Sequence, residues 1–539
     1  MDEPNLLTDE QMQSFIVDGY LMFEPEIPAR VHGTIYARLN EIIDAEANPG
    51  NNVLPRVPEM RHLLNCPEVR GALISVLGPD YIEHPHRYCH SLRPTTEPVD
   101  DDEAAAKLIK NAHQDGYTPL GHPRQHYLRY ARVMYYPQDT PIDLGPTHVI
   151  AGSQFNKGLT DEDKARLVPW TAKAGSVMVS HFDIGHAAGV GLDPQFRHMI
   201  KFIYLRASAP SEPTWKSTST MWRRPVKVKT PHDLELAWSH GWDWLCGKAN
   251  RYESWQTLHN GSNQDVDVLI AGLSDENDLD TRLHSVQLLA AAGPRANESI
   301  GPLIEILDTD QQAMRVAAIY ALGAIGKEAV APLIDHLRRV GEREDANEKP
   351  STWSEGAIAM EDAANALGAV GADAVDALRS LLREGEGWAS ISAAFALAEM
   401  DSVASPAVPD LVAHLDSSSH RLVRTVLDSL GSIREGVPVV EIGKLFELTR
   451  PGWDEEIHRW WTPQDGVRTH AGMALARLGS DSAPAQSQLL KALDDPCGHA
   501  ASFAMIALQR IGSPEAVQAT MDFLMSQRWD ASVDGVRQF

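Results

Sequence analysis

Four cysteines in 539 residues, at Cys66, Cys89, Cys246 and Cys497 with no C-x-x-C pair, exclude a disulfide framework and a cysteine zinc site. A reducing, cytoplasmic setting is expected. No stretch approaches the roughly 18 apolar residues of a membrane span. The opening Met-Asp-Glu-Pro-Asn has neither a basic nor an apolar leader segment, so neither a membrane association nor export is expected. Basic residues are also in deficit: 48 Lys and Arg stand against 74 Asp and Glu, a net charge of -26. Residues 1–250 hold 31 acidic and 25 basic side chains, and the remainder hold 43 and 23. An acidic second half repels phosphate backbones, so nucleic-acid binding is not expected. Solubility accounts for this charge, with docking of a basic partner as the alternative.

The chain is too long for one ordinary domain, and its texture changes along its length. In Leu7-Thr8-Asp9-Glu10-Gln11, Thr8 and Gln11 form a capping box for a helix whose apolar face is Met12, Phe15 and Ile16. Gly19 offers its left-handed stop. From about Tyr81 the pattern becomes β. Leu128 to Tyr136 is rich in β-prone residues and stops at Pro137, and similar runs occur at Ser176 to Phe182 and His198 to Leu205. Gly145-Pro146, Ala151-Gly152-Ser153 and Gly189 to Pro194 supply the turns. Several short strands with turn-rich connections predict a double-sheet jelly roll, or double-stranded β-helix.

Between 211 and 262 lies a connector with Trp215, Trp222, Trp238, Trp242, Trp244 and Trp255, a density that marks packing between two bodies. Beyond it the sequence repeats. Leu288-Leu289 before Gly293 has the register of Ala321-Leu322 before Gly326, which returns at Ala366-Leu367, Ala396-Leu397, Ser429-Leu430, Ala474-Leu475 and Ala507-Leu508. Each unit reads as two helices that bury their apolar faces only by stacking on neighbours, an α-solenoid. It resembles HEAT-like repeats over 263–530, in about seven units. Extra residues at Arg339–Glu355 and Thr449–Gly466 are expected on one face of the solenoid. They would touch the first domain or a symmetry mate. The predicted architecture is therefore a multidomain α and β chain, with domains at 1–210, 211–262 and 263–530.

Chemistry concentrates at His113-Gln114-Asp115, followed by His186 and Arg197. Two residues apart on an extended segment, His113 and Asp115 point to one face. Two histidines and a carboxylate can hold an Fe(II) and leave three positions open. An arginine one short strand away suits a distal carboxylate through a forked contact. A second H-x-D, His181-Phe182-Asp183, would need a third ligand such as His198 or His240.

Residues 1–210 resemble the phytanoyl-CoA dioxygenase family of Fe(II)- and 2-oxoglutarate-dependent oxygenases. The resemblance rests on Leu7 to Tyr20, His113-Gln114-Asp115, Gly145 to Ser153, Gly175 to Val179, His186 to Gly189 and Arg197. It implies His113, Asp115 and His186 as metal ligands and catalytic centre, Arg197 as the 2-oxoglutarate anchor, and O2 as second co-substrate. It further implies hydroxylation, with release of succinate and CO2. Where the family commonly has Pro-Gly-Ser-His, this chain has Ala151-Gly152-Ser153-Gln154. The second carboxylate contact is thereby unassigned, and Arg132 is the candidate for it, beside its reading as a salt-bridged strand residue. Tyr117, His122, Arg124 and His126, in the Gly- and Pro-rich loop after Asp115, are the candidate substrate contacts, each weighed against an ordinary loop role. The expected substrate is a small molecule. A protein partner or self-association through the solenoid is the expected further interaction. A non-catalytic scaffold is the alternative function.

Overall fold

The computed structural model describes residues 2–93, 100–115, 125–192, 194–260, 265–345, 361–453 and 462–526. The opening helix, Asp9–Asp18, forms as its ends dictate. The Thr8 side chain accepts from the Gln11 backbone N–H, the Gln11 side chain accepts from the Thr8 N–H, and Gly19 closes the helix at φ 82°. Eight strands follow through residue 205: β1 (Tyr20–Phe23), β2 (Ile82–Leu92), β3 (Tyr130–Tyr135), β4 (Thr147–Val149), β5 (Val168–Pro169), β6 (Val177–His181), β7 (His186–Ala188) and β8 (Arg197–Leu205). They make two antiparallel sheets, one in the order β1-β6-β3-β8-β2 and one in the order β5-β4-β7.

The register assigns the two faces of the larger sheet. Arg132 of β3 lies opposite Ser180 of β6 and Ile203 of β8, and Met134 lies opposite Met178 and Lys201. Because side chains alternate along a strand, Arg132, Met134, Ser180, Met178, Lys201 and Arg197 share one face. Met134, Met178 and Met199 join Tyr20, Tyr136, Val149, Trp170 and Ile184 in a small core between the sheets. The opposite face carries Val133, Tyr135, Ile200 and Phe202 into a far larger core.

That larger core is continuous from Leu7 to Ala516, so the sheets and the helical half fold as neighbours. The six connector tryptophans are all buried within it. Beyond them, seven helices among the described residues stack in sequence: Leu279–Ala292, Gln312–Ile325, Asp362–Val370, Trp388–Ala398, His420–Ile433, Pro463–Leu478 and Gly498–Ile511. Five of them end on a positive-φ glycine, at Gly293, Gly326, Gly371, Gly479 and Gly512, where a left-handed residue turns the chain into the next unit.

In the other two repeats the same position, four residues after the aligned leucine, holds Asp401 (φ 56°) and Arg434 (φ 66°). A non-glycine side chain there is strained. Both reach back to the first half of the molecule. Asp401 accepts from Arg129 at 2.9 Å, Trp244 at 2.9 Å and Arg251 at 3.3 Å, and Arg434 donates to the Ala207 carbonyl at 2.9 Å. The strain is therefore placed where two repeats grip the sheets, and the stacked row is the face that does so. Further contacts run from Tyr130 to Arg477, from His126 to Tyr320 and from Lys157 to Glu361. Residues 346–355 and 454–461 of the two insertions lie outside the described residues. Of the second, Trp453 is described, and its indole donates to Ser418 within the solenoid.

Glu399 pairs with Arg129 at 3.2 Å in this contact. Burial pushes its carboxyl from 4.5 up to about 7; Asp401 adds to the rise, and Arg129 and Arg251 oppose it. A folded-state value above the unfolded one means that the native chain binds the extra proton. Stability is then expected to fall as pH rises from 4.5 through about 7. Thermal unfolding of the full chain from about pH 5 to about pH 8 should show that decline, and Glu399→Gln should lessen it. An unchanged slope in the variant would refute the assignment.

Candidate metal centre

His113 follows the helix Asp101–Asn111 and forms an isolated antiparallel bridge with His186 at the start of β7. The His113 N–H donates to the His186 carbonyl at 3.0 Å, and the His186 N–H donates back at 2.9 Å. This reciprocal pair holds the two imidazoles side by side, with ring centroids 4.5 Å apart. Asp115 completes the group: its Oδ1 lies 3.5 Å from His113 Nε2, and its Oδ2 lies 3.8 Å from His186 Nε2. Among the described residues, His113, Asp115 and His186 are the one group of three ligand-type side chains whose ligand atoms all lie within 4.8 Å of one another.

The outer ring nitrogens fix the tautomers. His113 Nδ1 faces the Asn111 carbonyl at 2.7 Å, and His186 Nδ1 faces the Ile184 carbonyl at 3.1 Å. A carbonyl can only accept, so Nδ1 carries the proton in both rings. Each Nε2 is therefore the nitrogen turned towards Asp115 and the one free to bind a metal, the arrangement a metal-binding histidine needs. Burial, and then Arg132, hold His186 well below its ordinary pKa, which keeps it neutral. Burial pushes Asp115 up, but Lys201, Arg132 and His186 together hold it well below the carboxylate range. Burial lowers the His113 pKa, but the hydrogen bond and charge of Asp115 raise it overall. The donor set is two imidazoles and one carboxylate.

Gln114, between His113 and Asp115, points the other way and ties the site to its support. Its Nε2 donates to the carbonyls of Ser153, Asn156 and Asp183, at 2.9, 3.2 and 3.0 Å. The turn that precedes His186 is thus bonded to the segment that carries His113 and Asp115.

Arg132 has a different place from the one expected of a co-substrate contact. Its guanidinium is fully buried, and it donates to Asp115 Oδ2 at 2.6 Å, to His186 Nε2 at 3.1 Å and to the Phe182 carbonyl at 2.8 Å. It is a buried partner of two of the three grouped residues, the salt-bridged reading of the strand. Arg197 is buried at the start of β8, with one long contact to the His90 carbonyl at 3.5 Å and its Nε unpartnered. Such a guanidinium has donors to spare for a carboxylate.

The His126 imidazole bonds the Tyr320 hydroxyl at 3.0 Å and packs on Phe155, which places it in the solenoid contact. Tyr117, His122 and Arg124 lie outside the described residues. The second triplet gathers no third ligand: His198 is held by Ser91 and Asn40, and His240 by Tyr127.

Lys201 was not anticipated. It is buried, its ammonium lies 2.8 Å from Asp115 Oδ2, and it shares the inner face with Arg197. The signal was available, since a lysine interrupting the apolar strand His198 to Leu205, at even spacing from Arg197, requires a buried partner.

A family model for HEAT repeats matches residues 266–346. No curated protein matches the chain. Among solved structures, the chain is similar to the non-heme alpha ketoglutarate dependent carbocyclase SnoK from nogalamycin biosynthesis. Identity is 16%, over 42% of this chain and 91% of that one, with a TM-score of 0.29. It is also similar to EctD from S. alaskensis with bound Fe, at 14% identity over 38% of this chain and 79% of that one, TM-score 0.29. A third is the epimerase SnoN in complex with Fe3+, alpha ketoglutarate and nogalamycin RO, at 14% identity over 42% and 95%, TM-score 0.28. At these TM-scores the likenesses carry no weight for the chemistry of this chain, which rests on its own side chains.

Proposed function

We propose that the protein is a non-haem Fe(II)- and 2-oxoglutarate-dependent dioxygenase that hydroxylates an aliphatic C–H bond of a small molecule and releases succinate and CO2. The observation that carries this reading is the convergence of His113, Asp115 and His186, with both imidazoles turned by their Nδ1–H bonds to offer Nε2. Residues 1–210 are read as an oxygenase domain of the phytanoyl-CoA dioxygenase kind, with its two sheets as a jelly roll. Residues 211–262 are the connector, and 263–530 the HEAT-like solenoid.

In this reading His113, Asp115 and His186 hold the iron. Bound with 2-oxoglutarate and O2, iron supplies the oxidant for the C–H bond. A metal held there would use the His186 lone pair that now accepts from Arg132, whose other bonds, to Asp115 and the Phe182 carbonyl, would keep the carboxylate oriented. Arg197 holds the far carboxylate of the co-substrate through its spare guanidinium donors. The small core of methionines and aromatics beside them keeps water away from the reacting carbon. A reducing, cytoplasmic setting suits a chain whose four cysteines are free and buried. With the stacked helical row engaged by the sheets, a protein partner or second copy would use the solenoid's other surfaces.

The scaffold alternative is disfavoured by the complete donor set. Under anaerobic conditions, Fe(II) and 2-oxoglutarate added to the full chain are expected to give a weak visible charge-transfer band, and admission of air to give succinate. Absence of both would sink the reading.

A further inference from the structure

The inner face of β3 and β8 carries more positive charge than the site's own residues balance. Arg132, Lys201 and Arg197 are all buried. Among the described residues, Asp115 is the one carboxylate within ion-pair distance of any of the three, and both of its bonds to them fall on Oδ2. Under the proposed function, 2-oxoglutarate brings two carboxylates, one for the iron and one for Arg197. Iron also draws on Asp115. Lys201 is then left without a full counter-charge, and a buried ammonium in that state is strongly disfavoured.

The neighbouring strand places two imidazoles beside it. In the β2–β8 register Tyr88 lies opposite Lys201, His90 opposite Met199, and Leu92 opposite Arg197. His90 therefore sits between the two cations along the face. Among the described residues its Nε2 is sealed from solvent and unpartnered, as is Nδ1 of His86. Both rings are depressed by burial and then by the charge of Lys201, which leaves each neutral with one N–H to donate. A buried ring nitrogen without a partner disfavours the empty state and favours a ligand that accepts from it. The wall behind them comes from the other half of the chain: His499, on the helix Gly498–Ile511, stacks on His86 at 5.5 Å and 28°.

Resting on the oxygenase reading, we propose that the substrate bears a carboxylate or phosphate group, seated against Lys201 and His90 with His86 beside them and His499 of the solenoid closing the wall. The solenoid then shapes substrate choice directly, as part of the pocket. A cationic or wholly apolar substrate would leave both ring nitrogens without an acceptor and Lys201 with only its share of Asp115.

Inorganic phosphate is the probe, titrated calorimetrically into the full chain holding Ni(II) and 2-oxoglutarate, a state without turnover. Saturable binding is expected, weakened at least about tenfold in His90→Gln and in Lys201→Met, as loss of a charge-assisted bond implies. The affinity for 2-oxoglutarate should stay unchanged in His90→Gln. The proposal is overturned if the wild-type chain takes up no phosphate, if both variants bind it equally well, or if 2-oxoglutarate displaces it, which would put the anion on Arg197. Should Lys201→Met fail to fold, His90→Gln and Lys201→Arg carry the same comparison. Because binding is read without turnover, a lack of succinate formation would count against the oxygenase reading alone.

Discussion

Asp115→Asn is expected to abolish iron-dependent succinate formation and to destabilise the fold at once. The amide keeps the shape of the side chain but brings no charge. Arg132, whose side chain is 0% exposed, and Lys201, at 9%, are left facing each other without a shared anion. Breaking a buried pair by removing one partner costs about 3–5 kcal/mol, because the remaining charge stays desolvated. Metal affinity should fall further than the about 10- to 100-fold that loss of an outer-shell partner brings. Urea denaturation and metal titration read the two effects separately. The double variant Asp115→Asn with Arg132→Met should recover part of the stability and none of the activity, since it removes the orphaned cation without restoring a ligand. Wild-type stability in the single variant would show that the two cations have another counter-charge.

Arg129→Met is expected to be the most disruptive change away from the His113, Asp115 and His186 group. Arg129 is buried between the halves, paired with Glu399 at 3.2 Å and Asp401 at 2.9 Å, bonded to the Ala398 carbonyl and seated over Trp244. Its loss leaves buried Glu399 without its cation and Asp401 with Arg251 alone, and should cost about 3–5 kcal/mol in chemical denaturation. Asp401→Gly makes the companion test. Glycine at φ 56° relieves a strain of about 1–3 kcal/mol while the bonds to Arg129, Trp244 and Arg251 disappear. The net loss should therefore be smaller than for Arg129→Met. If Asp401→Gly instead stabilises the chain, the strained aspartate contributes nothing to holding the solenoid on the sheets.

Much of this was legible because local rules act over a few residues. The capping box at Thr8 and Gln11 and the glycine stops of the repeats require only neighbouring backbone geometry, and the structure carries them as read. The strands at β3, β6 and β8 follow from β-prone runs between turn residues. The pairing of His113 with Asp115 follows from a two-residue spacing. Arg132 and His126 were harder. A strand arginine reads alike whether it meets a co-substrate or a carboxylate from another segment, and a loop histidine reads alike whether it faces a pocket or another domain. Tyr320, the partner of His126, lies 194 residues further along the chain.

The sequence by itself determined the His-x-Asp spacing, the β-then-helical order and the repeat period, because each is written in residue identity and short spacing. The tertiary structure alone decided which charges meet. It set Arg132 and Lys201 on one oxygen of Asp115, turned Gln114 away from its neighbours, and brought His499 against His86 across the join of the two halves. Long-range burial decides such contacts, since a charge or ring nitrogen removed from water must find its partner wherever the fold delivers one. No spacing rule spans the 413 positions that separate His86 from His499.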